Sequence, residues 1–154
     1  MNAASQSRRG FTLLEMMVVI GIMGILMAVA SLDYVKTAPK RRLHGAAFDV
    51  MTTFRQARMM AASYNAPVEV SINGSTITIW ADKDMDDQRD AGEETQKDID
   101  STISLMKYPD RGRFNSRGMF TSDGFYMYIY MYSNGTAGET VYVFPSGHVD
   151  LYYY

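Results

Sequence analysis

Residues 61–80 read AASYNAPVEVSINGSTITIW, and inside them the spacing of apolar residues changes from helical to alternating. Upstream, Leu43, Ala47, Val50, Phe54, Ala57 and Ala61 recur at intervals of four, three, four, three and four. That spacing is one stripe along a helix. Ala66-Pro67 ends it, because proline brings no amide proton and disfavours helical backbone in the residue before it. From Val68 onward the apolar residues alternate with polar ones. Asn73-Gly74 predicts a two-residue turn of type I′. In that register Val70 faces Ile77 and Val68 faces Ile79, while Glu69 faces Thr78 and Ser71 faces Thr76. A helix over 11–64 followed by an antiparallel β domain over 65–154 is therefore expected, an α+β fold with the second half of the helix packed on the β domain.

Further strands read clearly toward the C-terminal side. FYMYIYMY, residues 125–132, puts Phe125, Met127, Ile129 and Met131 on one face and Tyr126, Tyr128, Tyr130 and Tyr132 on the other. TVYVF, the Pro145-Ser146-Gly147 turn and HVDLYYY predict another hairpin. Between Lys107 and Gly124 the pattern predicts only one short strand, near Gly118 to Thr121. Two readings of the tyrosine face stay open: packing against the helix or a second sheet, or an exposed aromatic platform for a partner.

Toward the N-terminal side, FTLLEMMVVIGIMGILMAVA, residues 11–30, holds 20 residues and one charge, Glu15. As a helix it measures ~30 Å, the thickness of a hydrocarbon core. A membrane span over 11–30 is one reading. A cleaved signal is another: Ala28-Val29-Ala30 resembles a signal-peptidase site, with a secreted β protein beginning at Ser31, and Ser7-Arg8-Arg9-Gly10-Phe11 resembles a twin-arginine signal. Glu15 argues against both, since it interrupts the apolar core of either signal. Flanking charge does not orient the span, with Arg8 and Arg9 before it and Lys36, Lys40, Arg41 and Arg42 after it. Pro39 predicts a break or bend near Ala38.

Composition narrows the function classes. The chain has 154 residues and no cysteine, so disulfides and thiolate metal sites are ruled out. Net charge is −2, but it is divided unevenly. Residues 11–64 carry six basic and three acidic side chains, and residues 65–154 carry seven and fourteen. An acidic domain repels a phosphate backbone and suits a cation. His44 and His148 stand alone, and no Ser/His/Asp set, phosphate loop or zinc spacing occurs, so the chain is not expected to be an enzyme.

Gly10-Phe11-Thr12-Leu13-Leu14-Glu15, followed by an apolar run, resembles the processing site of type IV prepilins and type II secretion pseudopilins. RQARMMAASYNAPVEVSI and ITIWADKDMDDQRDAGEE resemble the GspH/FimT-like minor pseudopilins in the order of helix end, hairpin, tryptophan and acidic loop. The resemblance implies a leader over 1–10, cleavage after Gly10 by a prepilin peptidase, and N-methylation of Phe11. It also implies a single-pass bacterial inner-membrane protein with a periplasmic β domain. Other pilin or pseudopilin subunits would be its partners, in a type II secretion pseudopilus or a type IV pilus. Glu15, fifth in the mature chain, would pair with the new amine of a neighbouring subunit, which makes a carboxylate tolerable at that depth. Some FimT-like pilins bind DNA through basic C-terminal residues. Here residues 147–154, GHVDLYYY, hold neither Arg nor Lys, so nucleic acid is not an expected partner.

One further motif comes from spacing alone. In ADKDMDDQRDAGEE, Asp82, Asp84, Asp86, Gln88, Asp90 and Glu93 occupy positions 1, 3, 5, 7, 9 and 12 of a twelve-residue frame. That is the ligand spacing of an EF-hand calcium loop, with Gln88 offering its backbone carbonyl. Asp87 stands where such a loop has glycine, and no helix precedes the frame. The alternative is a solvated acidic turn between strands.

Overall fold

The computed structural model describes residues 11–90, 92–124, 126–133 and 138–153. Among the described residues, helix α1 covers Leu13–Tyr64 and is followed by nine strands. The chain divides between Ala38 and Pro39 into two compact units. The helical assignment continues across Pro39, where the sequence predicts a break or bend.

In the first unit, Thr12 caps the helix: its Oγ1 accepts the Glu15 amide at 3.2 Å. A Thr followed three residues later by Glu is a capping-box pattern, which satisfies an amide that the first helical turn leaves without a partner. Every described side chain from Phe11 to Val29 is exposed, on all faces of the helix. Among the described residues no helix is long and apolar enough to cross a membrane. Gly10 and the rest of the expected leader lie outside the described residues.

The second unit confirms the stripe. Leu43, Ala47, Val50, Phe54, Ala57 and Ala61 are all buried, with Ala46 and Met51 beside them. Asn65 closes the helix in a left-handed conformation (φ 51°), and the Ala66 amide returns to the Ala61 carbonyl at 3.3 Å. Together these form a Schellman cap.

The β part is two antiparallel sheets. The first holds β1 (Val68–Asn73), β2 (Thr76–Ala81), β3 (Glu94–Asp98), β5 (Arg111–Phe114) and β6 (Phe120–Ser122), in the order β3-β2-β1-β5-β6. The second holds β4 (Ser104–Tyr108), β7 (Met127–Tyr132), β8 (Glu139–Val143) and β9 (Val149–Tyr153), in the order β4-β7-β8-β9. Both contribute to one core with the helix stripe: Val68, Val70, Ile77 and Ile79 from the first, Met127, Ile129, Met131, Val141 and Val143 from the second. Polar ties fix the helix to both sheets. Lys97 pairs with Asp49 at 2.9 Å, and Arg55 donates to the Val149 carbonyl at 3.0 Å.

One expectation is corrected, and one open reading is narrowed. The first hairpin turns at Gly74-Ser75 rather than Asn73-Gly74, and its register is shifted by two residues, with Val70 opposite Ile79 and Ile72 opposite Ile77. A shift of two keeps every side chain on its face, and this one gives Ile72, otherwise opposite Ser75, a buried apolar partner. Gly74 supplies the positive φ of 57° at the first loop position, as a type II′ turn requires. Of the two arrangements left open for the tyrosine face, the outward one is found, opposite the buried Met127, Ile129 and Met131. Tyr128, Tyr130, Tyr142 and Tyr152 lie partly exposed on the outer face of the second sheet, and neighbouring rings meet at 5.3 Å for Tyr142–Tyr152 and 6.4 Å for Tyr128–Tyr142.

Gly112 on β5 pairs with Val70 and Ser122, and a Cβ built there would lie only 2.1 Å from the Phe120 ring at Cζ. Phe120 in turn packs on Phe114 at 4.9 Å and on Phe54 at 6.4 Å. Gly112→Ala is therefore expected to destabilise the domain by about 1–3 kcal/mol, the usual range for overpacking. Chemical denaturation of wild type and variant would check this, and equal midpoints would remove the packing argument.

Candidate functional site

Asp82 follows β2 directly, and the described residues 82–90 and 92–93 fold back over the outer face of the first sheet. Trp80 explains why. It points away from the helix, the side where a strand would ordinarily meet water, yet it is 4% exposed because the returning segment covers it. Arg89 and Arg113 lie over its ring at 5.3 and 5.4 Å. Both guanidinium groups also face Glu69, the cross-strand neighbour of Trp80, at 2.9 and 3.8 Å. Arg113 reaches Asp87 as well, at 3.1 Å. An alternating row of acid, indole and guanidinium therefore holds the acidic segment down.

Glu93 is the second anchor. One carboxylate oxygen accepts the Lys83 amide at 2.8 Å, and the other accepts the Trp80 indole N–H at 3.2 Å. These bonds, the Lys83 amide foremost, hold the Glu93 carboxyl below its usual pKa. The Ala81 amide donates to the Glu93 carbonyl at 2.9 Å and the Asp82 amide to the Pro67 carbonyl at 3.3 Å. Met85 and Asp87 adopt left-handed backbone, φ 63° and 57°, and turn the segment between these anchors.

The fold brings together three of the six residues in the calcium frame. One carboxylate oxygen from each of Asp82, Asp84 and Asp86 lies within 4.8 Å of the other two. Desolvation, followed by the charge of Asp86, pushes the Asp84 carboxyl above its usual pKa. Glu93 holds the loop closed through both its oxygens. The Gln88 amide donates to Asp86 at 2.8 Å, and Asp90 accepts the Glu93 amide through its backbone at 3.3 Å. Spacing finds the carboxylates but misses the row that fixes them. Glu69, Trp80 and Arg113 become neighbours only in the observed register.

At the other end of the chain, Phe11 and Glu15 flank the helix start, both exposed. Phe11 is separated from the capped turn by Thr12 alone.

Comparison with known proteins gives two family matches. The prokaryotic N-terminal methylation motif matches residues 5–31, and the family described as type II transport protein GspH matches residues 46–147. No curated protein matches the chain. Among solved structures, the type IV minor pilin FimU of Pseudomonas aeruginosa is similar with a TM-score of 0.57 at 15% identity, over 73% of this chain and 90% of that one. The minor pseudopilin EpsH from the type 2 secretion system of Vibrio cholerae is similar with a TM-score of 0.57 at 14% identity, over 73% and 97%. The solution structure of Escherichia coli GspH gives 0.54 at 16%, over 73% and 89%.

Proposed function

We propose how a chain that belongs to the type II transport protein GspH family, a minor pseudopilin of a type II secretion system or type IV pilus, is processed, anchored and assembled. A prepilin peptidase cuts after Gly10, and Phe11 becomes the methylated amino terminus. The helix from Phe11 to Ala30 holds the subunit in the bacterial inner membrane as a single pass, with the β domain in the periplasm. In the filament, Glu15 meets the amine of a neighbouring subunit's Phe11 and sets the stagger between them. The role is structural and non-catalytic.

The observation that carries this reading is the methylation motif over residues 5–31, set on a helix that is apolar and exposed on every described face from Phe11 to Val29, apart from Glu15. Such a surface needs a hydrocarbon environment or other helices around it. Mass spectrometry of the mature N-terminus provides the test. N-methyl-Phe11 is the expected species. A chain beginning at Ser31 would replace this reading with a secreted β protein, and a chain beginning at Met1 would remove the peptidase step.

A further inference from the structure

We propose that Asp82, Asp84 and Asp86 form a binding site for a divalent cation of the calcium type. Three observations support it. The first is convergence: three carboxylates offer one oxygen each within 4.8 Å, a spacing at which uncompensated like charges repel. The second is burial. Asp82 is only 3% exposed, and its Oδ1 is fully enclosed with no hydrogen-bond partner. A buried carboxylate oxygen without a donor is costly unless a cation or proton compensates it.

The third is the use made of the nearby cations. Lys83 donates to the Gly92 carbonyl at 2.8 Å and lies over the Tyr64 ring, while Arg89 and Arg113 are held by Glu69 and Asp87. Among the described residues no Lys or Arg pairs with Asp82, Asp84 or Asp86. The fold thus assembles three negative side chains and directs its own positive ones elsewhere.

The donor set selects the ion. Carboxylate oxygens without imidazole or thiolate favour a hard cation. Asp84 and Asp86 are exposed, so water can complete the shell on the solvent side. A loop that supplies three ligands from one side matches the irregular, high coordination of Ca²⁺ better than the strict octahedron of Mg²⁺. The ligand set is narrower than the twelve-residue frame implies. The first three acidic positions bind, and Glu93 acts through the Lys83 amide and the Trp80 indole to hold them in place.

Calorimetry on the full-length, chelator-stripped protein in detergent tests the site directly. Ca²⁺ is expected to bind saturably, one ion per chain, with a Kd on the order of 10⁻⁴ M, as in exposed extracellular sites. Tb³⁺ gives an independent readout. Trp80, the chain's only tryptophan, lies beside the loop and should sensitise its emission, and added Ca²⁺ should quench it. Asp84→Asn alters an exposed side chain, so its far-UV dichroism should match wild type. Its affinity should fall by at least the roughly 10–100-fold seen when metal-site support is removed. Three results would overturn the proposal: no saturable heat and no sensitised emission in wild type, unchanged affinity in a folded Asp84→Asn protein, or displacement of Ca²⁺ by an equal concentration of Mg²⁺.

Discussion

Glu15→Ala is expected to leave insertion and cleavage after Gly10 intact and to lower incorporation into filaments more than a hundredfold. Removing one partner of a buried ion pair costs about 3–5 kcal/mol, because the remaining charge stays desolvated and unpaired. Here the stranded charge would be the Phe11 amine of the adjoining subunit, and the loss would recur at each subunit contact. The Thr12 cap takes the Glu15 backbone amide, which every variant keeps, but Glu15 also stands at the third helical position of the capping-box pattern, where its side chain can favour the helix start. Glu15→Gln separates the two roles. Glutamine serves the third helical position of a capping box as glutamate does, but carries no charge. If charge pairing governs assembly, the Gln variant fails as Ala does. Quantitative co-purification with the other pilin subunits is the measurement. Wild-type recovery of Glu15→Ala would end the pairing model, and recovery of Glu15→Gln alone would reduce Glu15 to a helix cap.

Phe54→Ala is the substitution expected to damage the β-bearing unit most. Phe54 is 0% exposed, lies at the middle of the buried stripe, and meets Phe120 edge-on at 6.4 Å. Truncating a buried phenylalanine removes its apolar transfer energy and leaves a cavity, together about 3–5 kcal/mol. That is a large part of the about 5–15 kcal/mol by which domains of this size are stable. The expected readout is a denaturation midpoint far below wild type with an unchanged slope. Phe54→Leu, which refills most of the volume, should recover much of the loss. A midpoint within error of wild type for Phe54→Ala would mean that helix and sheets do not share the core described here.

The sequence reports its own structure unevenly, and the reason is physical. The stripe from Leu43 to Ala61, the faces of β7 and the hairpin of β8 and β9 are legible because each buries one face and wets the other. Strands β3 and β4 are not. ETQKD and SLMKY lie at sheet edges with little buried on either side, so no alternation marks them. Strand β5, RGRF, hides because Gly112 fills an inward position where the Phe120 ring takes the space. The carboxylate loop shows the same division. Its acidic spacing is written in order along the chain, but Glu69 and Arg113 approach it only through strand pairing. A two-residue error in the hairpin register parts Glu69 from Trp80 while leaving every apolar face correct, and the unread strand β5 conceals Arg113.

The edges of the two sheets bear on how such subunits crowd along a filament. The first sheet ends in β3, which presents Glu94, Lys97 and Asp98, and in β6, which has three residues. The second ends in β4, with Lys107, and in β9, with Asp150. Charged or very short edges make poor templates for an incoming strand. Where such domains crowd together, their sheet edges give little invitation to strand pairing between neighbours.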